Sequence, residues 1–157
     1  MISLEPIGIV HSSRRELKDD DWDSVAVTIE LNDTFDASAL KGIEEFSHAY
    51  VIFHLDRVPV ADIVNATRHP RGNPAWPKVG IFAQRGRARP NRLGLTTVAI
   101  VKRDGRVLTV HGLDAVDGTP VLDIKPVMLE FLPRGPVRQP GWATELMRHY
   151  WQSTSQA

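Results

Sequence analysis

Four arginines within eight residues, Arg85, Arg87, Arg89 and Arg92, are the densest concentration of reactive chemistry in the chain. A guanidinium fork binds carboxylate or phosphate through two parallel hydrogen bonds. The stretch "FAQRGRARPNRLGLT" at 82–96 therefore asks for an anion. Pro90 fixes the backbone beside Asn91, so Arg89-Pro90-Asn91 reads as a rigid turn presenting donors. A solvated basic loop is the plainer alternative. The second concentration is acidic. "GLDAVDGTPVLDIKP" at 112–126 carries Asp114, Asp117 and Asp123 within ten residues, followed by Lys125. Asp117-Gly118 has the composition of a turn. Asp123 lies between Leu122 and Ile124, where a carboxylate needs a partner. Lys125 shares its strand face, and a structural ion pair is as reasonable there as a catalytic role. His48 and His54 flank one strand with even spacing, and a hydrogen-bonded strand histidine accounts for each better than a ligand does.

The elements that must position these residues are mostly strands. "SVAVTIEL" puts Val25, Val27, Ile29 and Leu31 on one face, the pattern of a half-buried strand. "EPIGIVH", "HAYVIFHL", "VGIFA", "TTVAIV", "RVLTVHGL" and "PVLDI" are further strand candidates, rich in β-branched residues. "KRDGR" carries the Asp-Gly of a tight hairpin, and "DAVDGTP" is another turn. "RHPRGNPAWPK" at 68–78, with three prolines, is an irregular loop. Helical signal is thin: one short helix in "DASALKGIEEF", capped by Asp36 or Ser38, and one near the C-terminus. In the latter, Trp142, Leu146, Met147 and Tyr150 share a face. The expected class is mainly β: a small single-sheet β-barrel with short helices and a C-terminal helix. It divides into a barrel domain at 1–135 and a C-terminal helical extension at 136–157.

Composition narrows the function. A chain of 157 residues is one domain by size and buries a core without staples. It has no cysteine, hence neither disulfides nor a thiolate metal site, as suits a cytoplasmic protein. "MISLEPIGIV" is not built as a signal peptide, and no run of about eighteen apolar residues offers a membrane span. The zero net charge hides a segregation. Residues 68–106 hold ten of the nineteen Lys/Arg but only one of the nineteen Asp/Glu. That implies a face for an anion or, with equal weight, an ion-pair network between the two parts. A nucleotide-binding glycine fingerprint, a P-loop and a G-x-S-x-G elbow are all absent from the sequence.

Three stretches in order, "LKGIEEFSHAYVIFHL", "GIFAQRGRARPNRLGLT" and "GLDAVDGTPVLDIKP", resemble the TrmO (TsaA-like) family. Its members carry G-[LI]-E-x-F-S-H, G-[IV]-F-A-T-R-x-x-x-R-P-N-P-[IL]-G and D-G-T-P-V-x-D-I-K-P-Y. The resemblance covers roughly residues 5–127. It implies a small β-barrel, usually a homodimer, that binds S-adenosyl-L-methionine and methylates N6 of threonylcarbamoyladenosine at position 37 of tRNA, in the anticodon loop.

By that resemblance Arg85 meets the cofactor carboxylate, and Leu113, Asp114, Ala115, Val116, Asp117 and Gly118 meet its hydroxyls and amino group. His54, Leu55 and Leu95 are further cofactor contacts. The N-terminal cofactor element falls in "DDDWD", giving Asp21, Trp22 and Asp23. Arg87, Arg89, Asn91, Arg92 and Lys125 are left for RNA. Asp117 and Asp123 are the candidate bases, and the chemistry asks for no metal. The sequence departs from the family at Gln84, at Gly86-Arg87-Ala88, at Arg92 in place of proline, and at Val127 in place of an aromatic. Two alternatives stay open: a methyltransferase of this fold acting on a small molecule, and a non-catalytic nucleic-acid-binding barrel. The last is weakened because only Trp76 offers an aromatic platform in the basic segment.

Overall fold

The computed structural model describes residues 1–25 and 27–152. The strands are β1 (Gly8–Ser12), β2 (Val27–Leu31), β3 (His48–His54), β4 (Thr67–Arg68), β5 (Val79–Gly80), β6 (Leu93–Asp104), β7 (Val107–His111) and β8 (Pro120–Pro126). Six of them close an antiparallel barrel in the order β1-β2-β7-β6-β3-β8, while β4 and β5 form a separate two-stranded ribbon. The expected fold class is the observed one. Closure removes the unpaired edges that an open sheet of short strands would expose.

The period-two pattern decides which way each strand faces. Val25, Val27, Ile29 and Leu31 are all buried, and Val51, Val98, Leu108 and Val121 meet them from the other strands. Burying each such side chain contributes about 1.5–3 kcal/mol. Two register shifts, at Ile52/Phe53 and at Ile100/Lys102, bend the long strands so that the sheet curls shut. Gly105 and Arg106 make the two-residue hairpin turn between β6 and β7, closed by the Asp104–Val107 pair, with Gly105 at φ 59°.

Two expectations change. "VGIFA" pairs only at Val79–Gly80 and then winds into a 3₁₀ turn, Ile81–Ala83, which carries the chain toward the arginines. "DASALKGIEEF" is two 3₁₀ turns, Ala37–Leu40 and Ile43–Glu45, broken by Gly42 at φ 92°. Asp36 does cap the first turn, accepting from the Ser38 N–H at 2.9 Å. Arg103 of β6 fastens the second through two hydrogen bonds to Glu44, and holds that carboxyl down at about 2. The C-terminal helix is present as α1, Gly141–Leu146, continued by turns to Tyr150. The last five residues of the expected extension, 153–157, lie outside the described residues, as does Ala26 within the β2 pattern.

Gly8 lies where β1 presses closest on β2. A Cβ there would stand 2.4 Å from the Glu30 carbonyl oxygen. The obstacle is backbone and cannot rotate away. Gly8→Ala is expected to lower stability by about 1–3 kcal/mol, read as a lower urea midpoint with unchanged slope.

Candidate functional site

One end of the barrel opens into a cleft of about 1260 Å³, large for a single small-molecule site. Its walls are the 82–97 stretch, the turn that follows β7, residues 17–22 and the C-terminal segment. Of the residues expected to bind a cofactor, Trp22, Leu55, Arg85, Leu95, Asp114, Ala115 and Val116 all line it. Arg87, Arg89 and Asn91, expected on the substrate side, line it too. Among the described residues, no cluster of three or more His, Asp or Glu side chains is arranged to hold a metal.

The arginine stretch reaches the cleft because Gly80 and the 3₁₀ turn leave the ribbon at an angle. Gln84 locks that exit: its amide donates to the carbonyls of Arg68 at 3.0 Å and Val79 at 2.9 Å. Arg85 donates to the Leu95 carbonyl across the cleft wall. Arg89 turns back and donates to the Gln84 carbonyl at 2.8 Å, bracing the loop. Arg92 is placed apart from the other three. It does not line the cleft; it donates to the Val58 carbonyl at 2.9 Å, tying the 56–58 segment to the turn. Asn91 and Arg92 both have positive φ, 63° and 50°. The family's proline could not take Arg92's value, because its ring fixes φ near −65°.

The acidic turn divides in the same way. Asp114 accepts from the Thr96 hydroxyl with one carboxylate oxygen and from the Tyr150 phenol with the other. Burial first, then the Asp114 charge, push the Tyr150 phenol far above its usual range, so it remains a neutral donor. Asp117 does not line the cleft. Its Oδ1 accepts the Ser12 N–H at 3.0 Å, and its backbone is tied to Arg14 and Arg57. Gly118, at φ 85°, belongs to this turn, and Leu113 is wholly buried in the core beneath it.

Asp123 is also displaced from the expected role. It lines a smaller hollow of about 550 Å³ with Phe35 and Leu40, and its partner is the exposed Lys125 at 3.5 Å. Neither residue of that pair reaches the cleft. The structural ion pair is the outcome, because alternation along β8 points both side chains away from the core.

His54 sits at the end of β3, paired with Leu93 and outside the cleft lining. Asp21 and Asp23 also fall outside it, contributing backbone. The Asp21 carbonyl accepts from Arg14 at 3.3 Å, and the Asp23 carbonyl from His111 at 3.1 Å. Arg14 stacks 3.7 Å over Trp22 and so fixes the indole against the cleft.

Two sets of residues were missed. Asp19 and Asp20 engage Arg71, the latter through a fork at 2.9 and 3.3 Å, and Asp19 reaches Arg87 at 3.9 Å. The run of three aspartates beside a basic segment was the signal. Trp142, Met147, Tyr150 and Trp151 also face the cleft, and the shared face of the C-terminal helix was their signal. The charge segregation is thus partly an internal network at the cleft mouth.

Bracing and presenting arginines differ in what their removal costs. Arg92→Ala is expected to lower stability by about 1–2 kcal/mol by leaving the Val58 carbonyl without this donor. Arg87→Ala should cost under about 1 kcal/mol, because its partner is a solvated aspartate. Paired thermal melts check the order.

The N-terminal domain of tRNA-methyltransferase O matches residues 18–131 of the chain. A protein of Pyrococcus abyssi named "Probable S-adenosyl-L-methionine-binding protein" is 40% identical over 148 residues, covering 90% of this chain and 76% of its own. The tRNA (adenine(37)-N6)-methyltransferase of Escherichia coli is 37% identical over 98 residues, 59% of this chain and 40% of that enzyme. A crystal structure of TrmO from Pseudomonas aeruginosa superposes with a TM-score of 0.70 at 29% identity, over 88% of this chain and 61% of that one. The chain therefore spans 40% and 61% of the two bacterial proteins, less than two thirds of each, and about three quarters of the archaeal relative. With the barrel, the motif-bearing cleft and a domain match over most of its length, the chain belongs to the TrmO family.

Proposed function

We propose that this protein is an S-adenosyl-L-methionine-dependent methyltransferase whose acceptor is N6 of threonylcarbamoyladenosine 37 in the anticodon loop of tRNA. The observation that carries this is the opposition of Arg85 and Asp114 in one cleft. Arg85 bonds the Leu95 carbonyl and Asp114 accepts from the Thr96 hydroxyl, so both charges meet adjacent residues of β6 on the cleft wall. An amino acid carboxylate and ammonium need that pair, and Leu55, Leu95, Ala115 and Val116 offer apolar surface for an adenosine. The residues fit the group.

The cofactor supplies an electrophilic methyl carbon on a sulfonium. The protein's part is alignment: holding the amino acid end between Arg85 and Asp114 and keeping the acceptor in line. Held there, the cofactor would pass its methyl to the acceptor nitrogen and leave as the neutral thioether, and the nitrogen's proton would go to solvent. Asp117 and Asp123 are not needed for that step. Arg87 at the rim meets phosphate, in exchange for Asp19.

A smaller acceptor is the second reading, favoured by the engagement of Arg89 and Arg92 with carbonyls, which leaves a narrower basic rim than four arginines imply. We propose further a homodimer in the cytoplasm. Leu129 and Phe131, just beyond β8, are exposed and lie outside the cleft lining, and a second copy would cover them. Among the described residues no helix is long and apolar enough to cross a membrane.

Calorimetry with S-adenosyl-L-methionine tests the first reading. Arg85→Ala is expected to weaken binding by about 2 kcal/mol, roughly thirtyfold; unchanged affinity contradicts the assignment. Mass spectrometry of nucleosides from tRNA incubated with enzyme and cofactor should show the methylated product. In a salt series of tRNA binding, Arg87→Ala should reduce the slope by about 0.7–0.9. Cofactor binding with no methylated nucleoside and no change of slope moves the acceptor to a small molecule. Light scattering that gives the mass of one chain at micromolar concentration counts against the dimer.

A further inference from the structure

The C-terminal segment lies beyond the family match, which ends at residue 131, yet it supplies a wall of the cleft. Two backbone hydrogen bonds stitch it to the acidic stretch. The Asp21 N–H donates to the His149 carbonyl at 3.2 Å, and the Trp22 N–H to the Tyr150 carbonyl at 2.9 Å. Trp151 packs edge-on against Tyr150 with centroids 4.9 Å apart. These contacts fix the Tyr150 ring over Asp114. The phenol then donates to one carboxylate oxygen while Thr96 donates to the other.

A carboxylate oxygen accepts more than one hydrogen bond. With one neutral donor on each oxygen, Asp114 is held in a single orientation and still has acceptor capacity facing the cleft. Neither donor carries charge, so neither cancels the anion. A carboxylate so held recognises a cation.

We propose that Tyr150 is a positioning residue: it orients Asp114 to receive the ammonium group of the cofactor's amino acid end, and the C-terminal segment is thereby part of the binding site. This rests on the cofactor reading above. Tyr150→Phe is the natural probe, because it keeps the ring and its contact with Trp151 and removes only the hydroxyl.

The experiment is calorimetry on the full chain with two ligands. One is S-adenosyl-L-methionine. The other is 5′-methylthioadenosine, which shares the adenosine and the sulfur but has no ammonium, carboxylate or sulfonium. Tyr150→Phe is expected to weaken S-adenosyl-L-methionine about tenfold and to leave methylthioadenosine within about twofold. In the Asp114→Asn background, adding Tyr150→Phe should change little, since the two residues act as one unit. A melting temperature near that of the wild type confirms that the Phe variant is folded.

Equal affinity of wild type and Tyr150→Phe for S-adenosyl-L-methionine overturns the proposal. So does an equal loss for both ligands, which makes Tyr150 only wall, and so does additivity with Asp114→Asn. Tighter binding by the Phe variant overturns it as well, because the segment would then obstruct the site. A wild-type protein that binds neither ligand defeats the cofactor reading itself and this proposal with it. Wild-type binding with an indifferent Phe variant defeats the proposal alone.

Discussion

The seam of the barrel is the constraint on which the site depends. β1 pairs with β8 over only two residues, Gly8 with Val121 and Ile9 with Pro120. Beyond that, β1 keeps its ladder by bonding to the turn before β8. The Val10 N–H donates to the Thr119 carbonyl at 2.9 Å, the Gly118 N–H to the Val10 carbonyl at 2.8 Å, and the Ser12 N–H to the Asp117 carboxylate at 3.0 Å. Backbone groups at a closing seam must find partners, and here the turn supplies them. The consequence is directional. With Asp117 and Gly118 pinned to β1, and Leu113 anchored in the core, Asp114, Ala115 and Val116 between them are turned into the cleft. Asp117 is tied to the seam, and Asp114 faces the cleft.

The same division of labour runs through the arginines, and it answers why a neutral chain crowds positive charge between two buried segments. A loop that leaves a two-residue ribbon, makes a 3₁₀ turn and enters a twelve-residue strand has many carbonyls without ladder partners. Arg89 and the Gln84 amide satisfy carbonyls of the loop itself, at Gln84 and Val79, while Arg92 reaches back to the Val58 carbonyl. Guanidinium suits that work because one planar group reaches several acceptors. Arg85 does both, bonding the Leu95 carbonyl while contributing its charge to the cleft. Arg87, matched with Asp19 at ion-pair range, is the one of the four whose partner is a solvated carboxylate rather than a carbonyl. Four like residues in eight positions therefore do three different things.

Much of the fold was legible because period two is a direct record of burial. Val27, Ile29 and Leu31 alternate in the sequence as they do in the barrel. The Asp-Gly at 104–105 marks its hairpin by chemistry that acts within four residues. What failed was longer-ranged. "VGIFA" has strand composition, but its neighbour β4 is only two residues long, and after Ile81 donates its N–H to the Ala66 carbonyl across the ribbon the chain winds into the 3₁₀ turn. Asp117 and Asp123 look alike in sequence, as carboxylates among apolar residues. Only the seam and the alternation of β8 decide that one caps β1 and the other faces Lys125. Arg92 takes a φ of 50°, which a proline could not, and no count of charges reveals that its donors would be spent on Val58.

The least legible part is the contribution of the C-terminal segment. Its apolar face was visible in Trp142, Leu146, Met147 and Tyr150, but an amphipathic helix reports only that something covers it, not what. The answer depends on a contact spanning 36 positions, between Tyr150 and Asp114. The segment also closes a circuit: it bonds residues 21–22, the preceding aspartates hold Arg71 and Arg87, and the arginine stretch forms the opposite wall. The cleft is thus bounded by four pieces of chain that never adjoin in sequence. Each is fixed by backbone or charge contacts to another rather than by its own secondary structure. A site assembled in this way can change its rim without disturbing the barrel that carries it.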